Sequence, residues 1–94
     1  MATVSLYYWA GAKAAAGTDL ERFEAPSVAD ALEQARAQRA DSRFDQVLQL
    51  SSVLIDGLVA HDVDLLRELD APVRVEILPP FAGGNGRERV SERD

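Results

Sequence analysis

Few side chains in this chain could do chemistry, and most are poorly placed for it. The one histidine, His61, stands beside Asp62. A base of that kind needs a positioned nucleophile, and no Gly-x-Ser-x-Gly elbow occurs, so His61 reads as a surface residue. Asp62 and Asp64 could face one cation, but oxygen-ligand loops need more donors at fixed spacing, and the pair reads as part of a solvated loop. Gly83-Gly84-Asn85-Gly86 is rich in glycine, yet no Lys-Ser/Thr pair follows and no helix begins there, so it is not a phosphate cradle. Arg87, Arg89 and Arg93 alternate with acids and make no basic patch. Cysteine is absent, which removes both a disulfide framework and a thiolate metal site. No metal site and no autonomous active site are expected.

What remains is the stretch Pro79-Pro80-Phe81-Ala82-Gly83-Gly84. It follows Val73-Arg74-Val75-Glu76-Ile77-Leu78, which alternates as a strand. Two prolines fix φ and remove two backbone donors, so pairing must stop at Pro79. Each also pushes its predecessor out of the helical region, which makes a stiff, extended arm. The tip is small: without a Cβ, Gly83 and Gly84 can enter a channel too narrow for other residues. Two readings are open, a Pro/Gly loop that closes the domain and an arm that delivers something into another protein's active site.

The elements that would hold the arm can be read in order. Residues 3–9 alternate as a strand, with Val4, Leu6 and Tyr8 toward the core and Ser5, Tyr7 and Trp9 away from it. Residues 10–17 are a small-residue connection with one helical turn, and residues 18–24 a second strand around Leu20 and Phe23, the pair making a hairpin with a wide loop. Ser27 can cap a helix to about Ala40, with Asp30 completing a capping-box-like pair. Val28, Ala31, Leu32 and Ala35 share one face of it. Asp41 and Ser42 can cap a second, shorter helix on which Phe44, Val47 and Leu48 align. Residues 52–55 are a strand ended by the turn Asp56-Gly57, and residues 58–60 pair back. Residues 62–70 are a loop with one helical turn carrying Leu65, Leu66 and Leu69, and residues 73–78 are the last strand. A helix over one face of a mixed sheet of four to five strands is an α+β two-layer domain. The domain should span residues 1–81. The tail, 82–94, should be flexible, since Val90 is the only large apolar side chain in its last ten residues and cannot offset the entropy of ordering them.

Ninety-four residues, nearly half of them apolar, suffice for one modest core. A formal net charge of −6 argues against nucleic acid, whose phosphates need a basic face, and favours a basic protein partner. No apolar run approaches a membrane span, and no basic segment precedes an apolar one at the N-terminus. A soluble, cytoplasmic protein is expected. If the first and last strands are neighbours, Trp9 and Leu78 stand together on the uncovered face at the root of the arm. A large apolar pair there suggests a partner surface; the alternative is that Trp9 folds over a sheet edge.

The arm, following its Val-x-Val-x-Ile-Leu strand, resembles the C-terminus of the MoaD/ThiS family of ubiquitin-like sulfur carriers, most narrowly the small subunit of molybdopterin synthase. Residues 6–17 are similar to that family's first strand and loop, and Ser52-Val53-Leu54-Ile55-Asp56-Gly57 to its Val-Asn-Gly strand and turn. The likeness runs through residues 3–84 in the same order. It implies a β-grasp fold and a carrier rather than an enzyme by itself. In that family an activating enzyme related to those of ubiquitin uses ATP to adenylate the terminal glycine. Sulfur then replaces one oxygen, and the thiocarboxylate tail enters the large synthase subunit. By position, Gly84 would carry the sulfur behind Gly83, and Trp9, Leu78, Pro80 and Phe81 would contact the partner. The resemblance implies no stably bound cofactor.

The chain departs from that pattern at its end. It continues for ten residues past Gly84, where family members normally stop. An internal glycine has an amide rather than a carboxylate and cannot be adenylated. A peptidase would have to remove residues 85–94 first, or the fold serves another purpose. Three uses are open: molybdopterin synthesis, sulfur delivery to thiamine, cysteine or a secondary metabolite, and a ubiquitin-like binding module that transfers nothing.

Overall fold

The computed structural model describes residues 1–80. Five strands form one mixed sheet: β1 (Ala2–Tyr8), β2 (Leu20–Ala25), β3 (Ser52–Ile55), β4 (Leu58–Val59) and β5 (Val73–Leu78). Their order across the sheet is β2-β1-β5-β3-β4. The last strand therefore lies in the middle, parallel to β1 and antiparallel to β3. The expected hairpin is present, β1 and β2 running antiparallel from Ala2↔Ala25 to Tyr7↔Leu20.

Alternation decides which face each strand buries. Val4, Leu6 and Tyr8 of β1 and Val75 and Ile77 of β5 are buried on one face. Removing each of these aliphatic side chains from water contributes about 1.5–3 kcal/mol. Four helices lie between the strands: α1 (Ala10–Ala16), α2 (Val28–Arg39), α3 (Ser42–Leu50) and α4 (Asp62–Leu66). Helix α2 supplies Val28, Ala31 and Ala35 to the core and α3 supplies Phe44 and Leu48. Two alanines on the inner side of α2 let the helix come close to the rest of the core.

The caps explain where the helices begin and end. Ser27 accepts a hydrogen bond from the backbone of Asp30 at 3.1 Å, as expected, but its hydroxyl, not its backbone amide, donates to the Asp30 carboxylate at 2.9 Å. The reciprocal half of a capping box is therefore replaced by a side-chain bond. Asp41 caps α3 by accepting from the amide of Arg43. Helix α2 stops where Ala40 adopts a left-handed φ of 50°, which costs a residue with a Cβ some strain.

Several boundaries differ from the sequence reading, β1 being shifted by one residue to Ala2–Tyr8. The connection 10–17 is a seven-residue helix rather than one turn, ended by Gly17 at φ 79°. Strand β2 starts at Leu20, not residue 18, and β4 is only Leu58–Val59. On α4, Leu65 packs toward the core with Leu69 just beyond, but Leu66 is exposed, because neighbours in a helix cannot share one face.

Candidate functional site

The root of the arm is the C-terminal end of β5. Tyr8 sits opposite Ile77 across the parallel ladder, and the Trp9 amide donates to the Ile77 carbonyl at 3.2 Å. Trp9 keeps extended backbone, φ −115° and ψ 150°, so the alternation runs one residue past β1. Tyr8 and Ile77 point into the core, and Trp9 and Leu78 follow them on the other side. The end strands β1 and β5 are neighbours, the condition the sequence reading set for Trp9 and Leu78 to share this face.

Trp9 is 47% exposed and Leu78 half-buried. Trp9 also starts α1: its carbonyl accepts from the amides of Ala12 and Lys13. Its backbone is fixed from both sides while much of the indole stays in water. Pro79 is half-buried and Pro80 exposed. A Cβ at Gly11 would stand 4.0 Å from the Pro79 ring, so the first turn of α1 lies close to the start of the arm. Phe81, Gly83 and Gly84, with the tail 82–94, lie outside the described residues.

The uncovered face continues inward from this root. Tyr7 lies beside Glu76 and Ser5 beside Arg74. The Arg74 guanidinium stacks 3.8 Å from the centre of the Tyr7 ring and bonds Glu76 at 3.0 Å. Ser52 pairs with Leu78, and Leu54 with Glu76. The face therefore carries an apolar end at Trp9 and Leu78 and a charged centre at Arg74 and Glu76. Alternation places these side chains on one face once β1 and β5 are neighbours. Only the register shows which of them touch.

Behind the face, a polar cluster at the same end of the sheet holds α1 in place. The Tyr8 hydroxyl donates to Glu21 Oε1 at 2.9 Å, and Arg39 pairs with that oxygen at 2.8 Å. Arg39 also donates twice to the Ala16 carbonyl, at 3.2 and 3.1 Å, and once to the Ala35 carbonyl at 3.1 Å. Its guanidinium lies 4.4 Å over the Phe44 ring, and Tyr8 meets Phe44 edge to face at 5.8 Å. Side-chain exposures of 13% and 17% for Arg39 and Glu21 put this pair well below the surface class whose worth is near zero. Burial first, then the hydrogen bond and charge of Glu21, push the Tyr8 phenol well above its ordinary range, with Arg39 opposing. Since Arg39 ties the last turn of α1 to α2, it fixes the helix that begins at Trp9. The sequence reading missed Arg39, and nothing in its local pattern marks it: its partners lie 18 and 23 residues away.

His61 is exposed and precedes α4, where its amide donates to Asp64 at 2.9 Å. That bond, with help from Arg67, holds the Asp64 carboxyl below the usual range. The pair is a helix start, with no nucleophile brought to it. Among the described residues no group of three or more His, Cys, Asp or Glu could hold a metal, and no helix is long and apolar enough to cross a membrane.

A mixed five-stranded sheet in the order β2-β1-β5-β3-β4, with its principal helix across one face, settles the architecture. The fold is the β-grasp of the ubiquitin-like proteins. Small archaeal modifier protein 1 from Methanosarcina acetivorans superposes with a TM-score of 0.73 at 24% identity, over 89% of this chain and 98% of that one. The protein of the same name from Haloferax volcanii gives 0.70 at 22%, over 87% and 99%. The complex of subunits 1 and 2 of molybdopterin-converting factor from Helicobacter pylori contains a similar chain, with a TM-score of 0.59 at 15% identity over 87% and 99%. No model of a known protein family matches this chain, and no curated protein does. The β-grasp neighbours thus include both small modifiers and a subunit of molybdopterin-converting factor.

Proposed function

We propose that this chain is a ubiquitin-like sulfur carrier that works as the small subunit of a molybdopterin synthase, with sulfur held as a thiocarboxylate on Gly84. The observation that carries the reading is the placement of β5. It is paired on both sides in the middle of the β-grasp sheet and ends at Leu78 beside Trp9, where Pro79 and Pro80 begin the arm. A strand held on both edges is a firm base for a segment that must reach into a partner.

The chemistry belongs to the arm's end. Once residues 85–94 are removed by a peptidase, the Gly84 carboxylate attacks the α-phosphate of ATP on a ubiquitin-activating-like adenylyltransferase and pyrophosphate leaves. Hydrosulfide then attacks the acyl carbon of the adenylate, the carbon–oxygen bond to AMP breaks and AMP departs, and loss of the thiol proton leaves the thiocarboxylate. The arm enters the large subunit of the synthase, which supplies the electrostatic stabilisation that the carrier lacks. Trp9, Leu78, Pro80 and Phe81 form the docking contacts, and Gly83 keeps the tip thin. The carrier holds no cofactor stably, acts in the cytoplasm and engages neither nucleic acid nor membrane. The subunit 1–subunit 2 complex among the structural neighbours supports a large-subunit partner.

Pyrophosphate release with the activating enzyme and ATP tests this. The form truncated after Gly84 should be active; the full-length chain and a truncated Gly84→Val variant should not, the branched side chain obstructing the channel. Equal activity of the full-length and truncated forms would reject the precursor. Inactivity of all three beside a working carrier would leave a binding module. The likeness to small archaeal modifiers favours a second reading, in which a lysine amine displaces AMP and an amide to a target protein forms. Intact mass of the chain from its native host separates the two: an oxygen-for-sulfur exchange marks the carrier, and a ladder of conjugates the modifier.

A further inference from the structure

Away from the arm, exposed apolar side chains collect in one short stretch. Leu58, Val59, Val63 and Leu66 are 75%, 63%, 72% and 71% exposed. Leu58 and Val59 make up β4, which is the edge of the sheet. Between β4, α4 and the segment leading into β5 lies a concavity of about 480 Å³, with Leu58, Val59 and Leu69 among its walls. Val63 and Leu66 lie outside its lining, so Leu58 and Val59 are its exposed apolar wall, and an apolar concavity on a sheet edge suits a partner contact.

The rim is acidic. Asp56, Asp64, Glu68 and Asp70 line the concavity against one arginine, Arg67. Arg67 is engaged by Asp64 at 3.3 Å, and Asp56 accepts from the Arg74 amide at 3.0 Å. Among the described residues Glu68 and Asp70, both on the wall of the concavity, make no ion pair. A second copy of this chain would bring the same acids against these and be repelled. A partner with basic residues flanking an aliphatic one satisfies both the apolar floor and the charged rim.

We propose that the concavity beside β4 docks a basic segment of a partner protein, with an aliphatic side chain over Leu58, Val59 and Leu69 and Lys or Arg toward Glu68 and Asp70. This surface is separate from the arm root: it lies at the start of β5, with Val73 on its wall, whereas the arm leaves the far end of that strand at Leu78. It would let a partner hold the chain while the arm is engaged elsewhere.

Amide chemical shifts of the full chain, titrated with a short capped peptide alternating leucine and lysine, test this. Saturable shifts should concentrate in residues 55–73, and a serine-for-leucine peptide should give none. Leu58→Ser, and separately Glu68→Lys with Asp70→Lys, should each weaken binding at least about tenfold (~1.4 kcal/mol) with the dispersed spectrum retained. Pyrophosphate release by the truncated form should be unchanged by Leu58→Ser, which separates this proposal from the carrier reading. Shifts centred on Tyr7 and Leu78, unaltered binding by the charge-reversed variant, or no saturable binding would overturn it. So would peptide-free self-association, seen by sedimentation, that Leu58→Ser abolishes.

Discussion

Tyr7 and Tyr8 are consecutive residues of the same type, each with an arginine over its ring, and they do opposite things. Tyr8 points into the covered face, where its hydroxyl is taken by Glu21 and Arg39 reaches across to Phe44. Tyr7 points to the open face, half-buried, where the exposed Arg74 stacks at 3.8 Å. One residue of register separates a side chain spent on stability from one left available. Residue type says little about role here; the face of the sheet says most of it.

The largest test of that contrast is Tyr8→Ala. Truncating a buried aromatic costs about 3–5 kcal/mol, and here it also removes one donor from Glu21, so urea denaturation should show a loss within that range. Arg39→Met comes next. It leaves the Ala16 carbonyl and the Glu21 carboxylate short of donors, and a loss of about 1–3 kcal/mol is expected. The same variant should broaden the amide signals of α1, a readout that mere loss of packing in α2 would not move.

Trp9→Ala should leave the thermal midpoint nearly unchanged and weaken binding to the proposed large-subunit partner by about 1–2 kcal/mol, measured by calorimetry. Unfolding by this substitution would place Trp9 with Tyr8 instead. Tyr8→Phe removes only the hydroxyl and should cost about 1 kcal/mol near neutrality. Its sharper signature is alkaline. The Tyr8 pKa is raised in the folded state, so its contribution is complete below the unfolded value of about 10 and is lost as pH rises beyond it. The gap in stability between wild type and Tyr8→Phe should therefore narrow above that pH. Smallest is Tyr7→Ala, about 0.5 kcal/mol or less in stability. A larger loss would erase the contrast between the faces.

Much of this architecture was legible in the residues. Alternation over Val4, Leu6 and Tyr8 and over Val75 and Ile77 marked the core face of both end strands, and Ser27 and Asp41 announced their helices. Helix α1 was underread because a run of alanine has no large apolar residue to show a period, although alanine's own propensity and Gly17 as a left-handed cap pointed that way. Arg39 was not legible at all, because its value comes from a carbonyl and a carboxylate far away in the chain. At the arm root, periodicity put Trp9 and Leu78 on the same face only on the condition that β1 and β5 pair. Pattern tells which face a strand buries, never which strand lies next to it.

The middle position of β5 also bears on how the molecule is made. During synthesis β1 and β2 can close their hairpin early, and β3 and β4 theirs, but the two halves share no strand until Val73–Leu78 emerges. Isolated two-stranded hairpins are marginal in water. A chain that stalls or is clipped before Leu78 therefore loses the seam of its sheet rather than an outer strip, and falls into two weak halves. The segment that joins them is the one that leads into Pro79 and Pro80, so no half-finished molecule can offer an arm to a partner.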